Sequence, residues 1–124
     1  MNDIRRVDAK ELVEVCSAIL AREGVPVADA DFVASTLVEA DLKGIHSHGI
    51  LRLKRYVREL RTRVTNPTPR IGVSEEGPAI ARVDGDGALG PLVGRFAMQT
   101  CIEKARKAGS ATVTAFRSRH FGTA

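Results

Sequence analysis

The hydrophobic pattern of this chain changes period once, and that change restricts the architectures open to it. From residue 9 to residue 62 apolar side chains recur at helical spacing. Beyond Asn66-Pro67-Thr68-Pro69, short β-branched runs take over. Asp8 suits an N-cap with Glu11 three residues on, and Leu12, Cys16, Ile19 and Leu20 mark one face of a helix over 9–23, closed by Gly24. After Pro26 a second helix is predicted over 28–43. Its stripe is Ala30, Val33, Leu37 and Ala40, flanked by Ala34 and Val38, and Gly44 closes it. The short break between the two predicts an αα-hairpin. A third helix is predicted over 50–62, with Leu53, Tyr56, Val57 and Leu60 inward.

The second half reads as strand, helix, strand: a strand over 79–83, a Gly-rich turn over 84–90, a helix from Pro91 to Ala108 closed by Gly109, and a strand over 110–116. The expected fold class is therefore mixed α/β, or α+β. A helical segment over 1–65 is followed over 66–124 by the start of an α/β unit. One strand–helix–strand unit leaves its sheet edges bare, so further chain or a partner is expected to complete it.

Composition removes some functions. No apolar run approaches the roughly 20 residues that cross a bilayer, and Met1 to Leu12 lack the apolar core of a signal peptide. A soluble cytoplasmic protein with no membrane partner is expected. Cys16 and Cys101 lie far apart inside helical patterns and are expected to be reduced core thiols. The net charge is +4, from 19 basic and 15 acidic residues, which attracts anions of any kind. Half of positions 52–63 are basic: Arg52, Lys54, Arg55, Arg58, Arg61 and Arg63. They form either a solvated helix face or a nucleic-acid-binding helix. With one Tyr, four Phe and no Trp, platforms for stacking bases are scarce.

His46-Ser47-His48 is the densest polar cluster, at the entrance to the third helix. It can exchange protons near neutral pH, favour an anion at a helix start, or place two imidazoles on a metal; it can also be a plain capped helix start. A metal needs three or four ligands, and Asp41 is the one further candidate in this stretch, so no metal is expected. Arg52 lies one turn from His48, so the two can converge on one ligand, where a guanidinium grips a carboxylate. Gly85-Asp86-Gly87-Ala88-Leu89-Gly90 matches the dinucleotide spacing literally. Asp84 and Asp86 would set negative charge beside a pyrophosphate, however, and no acidic residue ends the next strand, so a tight turn is the expected role. His120 follows the last strand, where α/β proteins commonly carry catalytic groups. Arg117 and Arg119 beside it are expected to depress its basicity.

These pieces occur in a particular order: Ala40-Asp41-x-x-Gly44, Ile45, His46-Ser47-His48-Gly49, Arg52, Tyr56, Asn66-Pro67, Val83-Asp84-Gly85 with Gly90, Ala105-x-x-x-Gly109, and His120-Phe121-Gly122. The order resembles the malate/L-lactate dehydrogenase-like family, which includes sulfolactate and ureidoglycolate dehydrogenases and some imine reductases. The resemblance implies a nicotinamide-binding fold other than the doubly wound Rossmann sheet. It implies hydride transfer between NAD or NADP and C2 of a small 2-hydroxy or 2-oxo acid. It also implies His120 as acid/base, His48 and Arg52 as substrate-binding residues with Arg52 on the carboxylate, and Ser47 and Tyr56 as neighbouring pocket positions. It implies no metal, no nucleic-acid partner, a homodimer at full length, and cofactor contacts mostly beyond Ala124. These 124 residues alone are then expected to have no dehydrogenase activity. The alternatives are a small basic nucleic-acid-binding module and a non-enzymatic remnant of the dehydrogenase.

Overall fold

The computed structural model describes residues 4–123. Helix α1 spans Ala9–Arg22 and begins where Asp8 accepts the backbone N–H of Glu11 at 3.0 Å, satisfying one otherwise orphaned donor. Helix α2, Val27–Leu42, follows after Pro26 and packs along α1. All six apolar positions expected to be inward on α2 are buried. On α1, Cys16 and Leu20 are buried but Ile19 is exposed, because it turns toward the open side between α1 and α3 rather than toward α2.

The predicted third helix begins later than its pattern suggests. Two 3-10 turns, His46–His48 and Ile50–Arg52, precede helix α3, Leu53–Arg61. Gly49 between them is extended (φ −84, ψ −150), which interrupts the helical backbone. Tyr56 and Leu60 are buried on α3, while Leu53 and Val57 are half-buried.

Strand β1, Gly72–Glu76, was not legible in the pattern. It pairs antiparallel with β2, Ile80–Asp84, through an irregular register between Val73 and Glu75. Helix α4, Gly90–Ala108, then crosses over to β3, Thr112–Phe116, which pairs parallel with β2. The sheet order is β1-β2-β3. A parallel pair requires such a crossover, and α4 covers one sheet face through Val93, Phe96 and Ala97 against Val83 and Val113.

A second buried cluster gathers Leu20, Val33, Leu37, Tyr56 and Leu60 from the helical segment with Leu89 and Leu92 from the start of α4. The entrance of α4 is thus wedged into the helical layer, which brings the end of β3 close to α3. Cys16 is buried as expected. Cys101 is only half-buried, its thiol donating to Ala111 O at 3.4 Å, because the outer half of α4 has no layer over it among the described residues.

Candidate active site

The chain leaves β3 through a left-handed residue, Arg117 (φ 50), and folds back over the start of α4. Three backbone hydrogen bonds hold this return: Gly85 N–H to Phe116 O (2.9 Å), Gly87 N–H to Arg117 O (2.8 Å) and Arg119 N–H to Ala88 O (3.1 Å). At Gly90 an added Cβ would lie 2.2 Å from the carbonyl oxygen of His120 and 2.5 Å from Phe121 Cα. The glycine there is a close-approach residue that lets His120 settle against the helix start. The Gly-rich turn is therefore filled by the protein's own backbone. The N–H groups of Gly85, Asp86, Gly87 and Ala88 all donate within the protein, so none of these four is left to cradle a pyrophosphate.

Asp84 and Asp86 serve the same return. Arg117 donates to both Asp84 carboxylate oxygens (2.8 and 2.7 Å) and lies 3.3 Å from Asp86. Asp86 in turn accepts from Asn66 Nδ2 and from Arg70 N–H. The Arg117 hydrogen bonds, with help from the backbone N–H of Asp86, hold the Asp84 carboxyl below the usual carboxylate range. This corrects the expected role of Arg117, which is turned onto the two aspartates and away from His120.

His120 is half-buried and meets Tyr56 of α3, whose hydroxyl lies 3.0 Å from its Nδ1. The His48 ring stacks on it with centroids 5.5 Å apart. Burial, then the charges of Arg52, His48 and Arg55, lower the His120 pKa, with Glu59 opposing. The depression expected of this histidine is present, but its cationic sources come from the helical segment. Burial raises the pKa of Tyr56, so its phenol stays protonated.

The His46-Ser47-His48 cluster separates its two imidazoles. His46 turns outward, its Nδ1 2.8 Å from Asp41 Oδ1. His48 turns inward, its Nδ1 2.8 Å from Ser47 Oγ, and its ring faces His120. Among the described residues no group of three or more His, Cys, Asp or Glu side chains is placed to hold a metal. Arg52 donates from Nε to Ser47 O at 2.8 Å, which fixes its guanidinium beside the same segment. The structure thus brings together all five residues singled out from the sequence: His48, Ser47, Arg52, Tyr56 and His120. Sequence reasoning missed the Asp41 contacts and the Tyr56–His120 hydrogen bond, which joins residues 64 apart.

The basic stripe of the third helix is broken by acidic and carbonyl partners. Arg55 pairs with Glu59, Arg61 pairs with Glu23, and Arg52 is held by Ser47 O. No helix among the described residues is long and apolar enough to cross a membrane.

The site thus sets an imidazole of lowered basicity just past a strand end, in one cluster with a tethered guanidinium. Residues 7–124 match the malate/L-lactate dehydrogenase family, and the chain belongs to that family of dehydrogenases. It is 44% identical over 119 residues to a malate dehydrogenase of Pyrococcus abyssi, covering 96% of this chain and 33% of that protein. It is 36% identical over 121 residues to the ureidoglycolate dehydrogenase (NAD(+)) of Escherichia coli K12, again covering 96% of this chain and 33% of that protein. The solved structure of sulfolactate dehydrogenase from Methanocaldococcus jannaschii superposes with a TM-score of 0.92 at 39% identity, over 95% of this chain and 34% of that one. The chain spans about a third of the length of the relatives it matches.

Proposed function

We propose that the protein to which these residues belong interconverts a small 2-hydroxy acid and the corresponding 2-oxo acid. The observation that carries this reading is the seating of His120 against Tyr56 and His48, with Arg52 alongside. His120 is the acid/base. Its Nδ1 is engaged by Tyr56, and its Nε2 has no hydrogen-bond partner among the described residues, which leaves that nitrogen for substrate. To act as a base through Nε2, the ring must carry its proton on Nδ1 and donate it to the Tyr56 oxygen. In the oxidative direction Nε2 takes the hydroxyl proton of the substrate as C2 loses hydride. In the reductive direction the protonated ring gives that proton back to the carbonyl oxygen.

Arg52 holds the substrate carboxylate, and its hydrogen bond to Ser47 O limits the orientations it samples, so C2 is presented to His120 in one pose. His48 and Ser47 form the wall on that side. Tyr56 is buried and works from behind His120. A nicotinamide cofactor, when bound, accepts or supplies the hydride at C2. NAD or NADP is the proposed cofactor, a reading supported by the name of the Escherichia coli relative. The full-length protein is proposed to be a cytoplasmic homodimer, a reading supported by the family resemblance.

The test is turnover. The full-length protein is assayed with a panel of 2-oxo acids, including oxaloacetate, pyruvate and sulfopyruvate, and NADH or NADPH. Consumption of reduced nicotinamide that His120→Gln lowers by roughly 10²-fold or more is expected. Absence of turnover across the panel with both cofactors would remove the reading.

A further inference from the structure

Asp41 stands in the last turn of α2, a helix with no basic residue in that turn. The negative end of the helix dipole makes an acidic side chain unfavourable there, so its position calls for compensating partners. It has two. Oδ1 lies 2.8 Å from His46 Nδ1, and Oδ2 accepts the backbone N–H of Ile50 at 2.8 Å. Between those contacts sits Gly49, which is buried. A Cβ added there would fall 2.2 Å from the carboxyl carbon and from both of its oxygens. The Asp41 carboxylate thus occupies the space a side chain at position 49 would need.

One carboxylate therefore clamps both ends of the segment from His46 to Ile50. That segment carries His48, which faces His120, and Ser47, whose carbonyl oxygen holds the Arg52 guanidinium. Asp41 itself makes no hydrogen bond to His48, Arg52 or His120 among the described residues. It is held from behind by a helix whose neighbouring residues Leu37, Val38 and Ala40 are buried. The segment has little anchorage of its own, since none of the residues of its two 3-10 turns is buried.

We propose that Asp41 is a positioning residue for the substrate acid: through Gly49 and the His46–Ile50 clamp it sets where His48 and Arg52 meet the carboxylate. This rests on the function proposed above. It predicts a separation between the two substrates of the reaction, because the clamp bears on the acid and on no described feature that holds the nicotinamide.

The experiment compares steady-state kinetics of the full-length enzyme and its Asp41→Ala, Asp41→Asn and His46→Ala variants, with thermal melting alongside. Asp41→Ala is expected to raise KM for the 2-oxo acid roughly tenfold or more while KM for the nicotinamide stays put. Asparagine can still accept from Ile50 N–H through its oxygen and donate to His46 Nδ1 through its amide, so Asp41→Asn is expected to return the acid KM to within about threefold of wild type. His46→Ala removes one exposed contact without threatening the fold and is expected to raise the acid KM about threefold. An unchanged acid KM in Asp41→Ala overturns the proposal, as do equal rises for acid and nicotinamide. If Asp41→Ala does not fold, an unchanged acid KM in His46→Ala overturns it. An inactive wild-type enzyme would sink the proposed function and this inference together, whereas an active one with unmoved variants would sink this inference alone.

Discussion

Burial first, and then the positive charges of Arg52, His48 and Arg55, lower the proton affinity of His120 below that of an ordinary imidazole near pH 6.5. In the proposed reaction the neutral ring is the base for oxidation, so a lowered pKa extends the active form toward acid. The acid limb of kcat/KM for hydroxyacid oxidation is expected below the ordinary histidine value. Arg55 reaches outward to Glu59, and replacing it removes a repelling charge while leaving the opposing Glu59 in place. Arg55→Gln is therefore expected to move the limb upward, by an amount that shrinks as salt is added. A pH profile with the same limb in both proteins would take Arg55 out of the account. That His120 and Arg52 would be drawn into one site was legible in residue type and order. The hydrogen bond that orients His120 was not, because Tyr56 enters the site from a different layer: its spacing marks a core residue of its helix and the resemblance a pocket position, and neither names His120 as its partner.

Elements were legible where their pattern is local. The α2 stripe, the Asp8 cap and the left-handed Gly109 that closes α4 each follow from neighbouring residues. Strand β1 was not, since Gly72-Val73-Ser74-Glu75-Glu76 has neither alternation nor β-branched enrichment; pairing with β2 gives it order. The late start of α3 escaped notice for a related reason: the break at Gly49 depends on a carboxylate eight residues earlier. The α4 glycines permit a test of how that element places His120. Alanine ordinarily favours a helix over glycine by roughly 0.5–1 kcal/mol. At Gly90 the new methyl would strike the backbone of His120 and Phe121, whereas at Gly94 it would strike only the ring of the half-exposed Phe121. Gly90→Ala is expected to lower kcat/KM by about 10²-fold, and Gly94→Ala far less. Equal activities in the two variants would mean that the close approach at Gly90 does not set the site.

The two halves of the chain share one apolar cluster. Leu89 and Leu92 belong by sequence to the strand–helix–strand unit yet pack with Leu20, Leu37 and Leu60 of the helical segment. Loss of Leu92 should therefore weaken both halves together. Leu92→Ala in the full-length protein is expected to cost about 2–5 kcal/mol, read from the denaturant midpoint at unchanged slope. A change in slope, or a second transition for residues 1–65, would separate the halves. The period change in the sequence foretold the two kinds of structure but not their joint core, because periodicity describes a face without naming what it meets. The single Tyr in a chain with no Trp has a different consequence. Apart from a weak phenylalanine background, the near-ultraviolet absorption and emission of these residues arise from the one phenol that touches His120. A cationic imidazole held against the phenol oxygen quenches its emission more than a neutral one does, so its brightness follows the charge of His120, and the colourless chain carries an optical gauge of its own acid–base state.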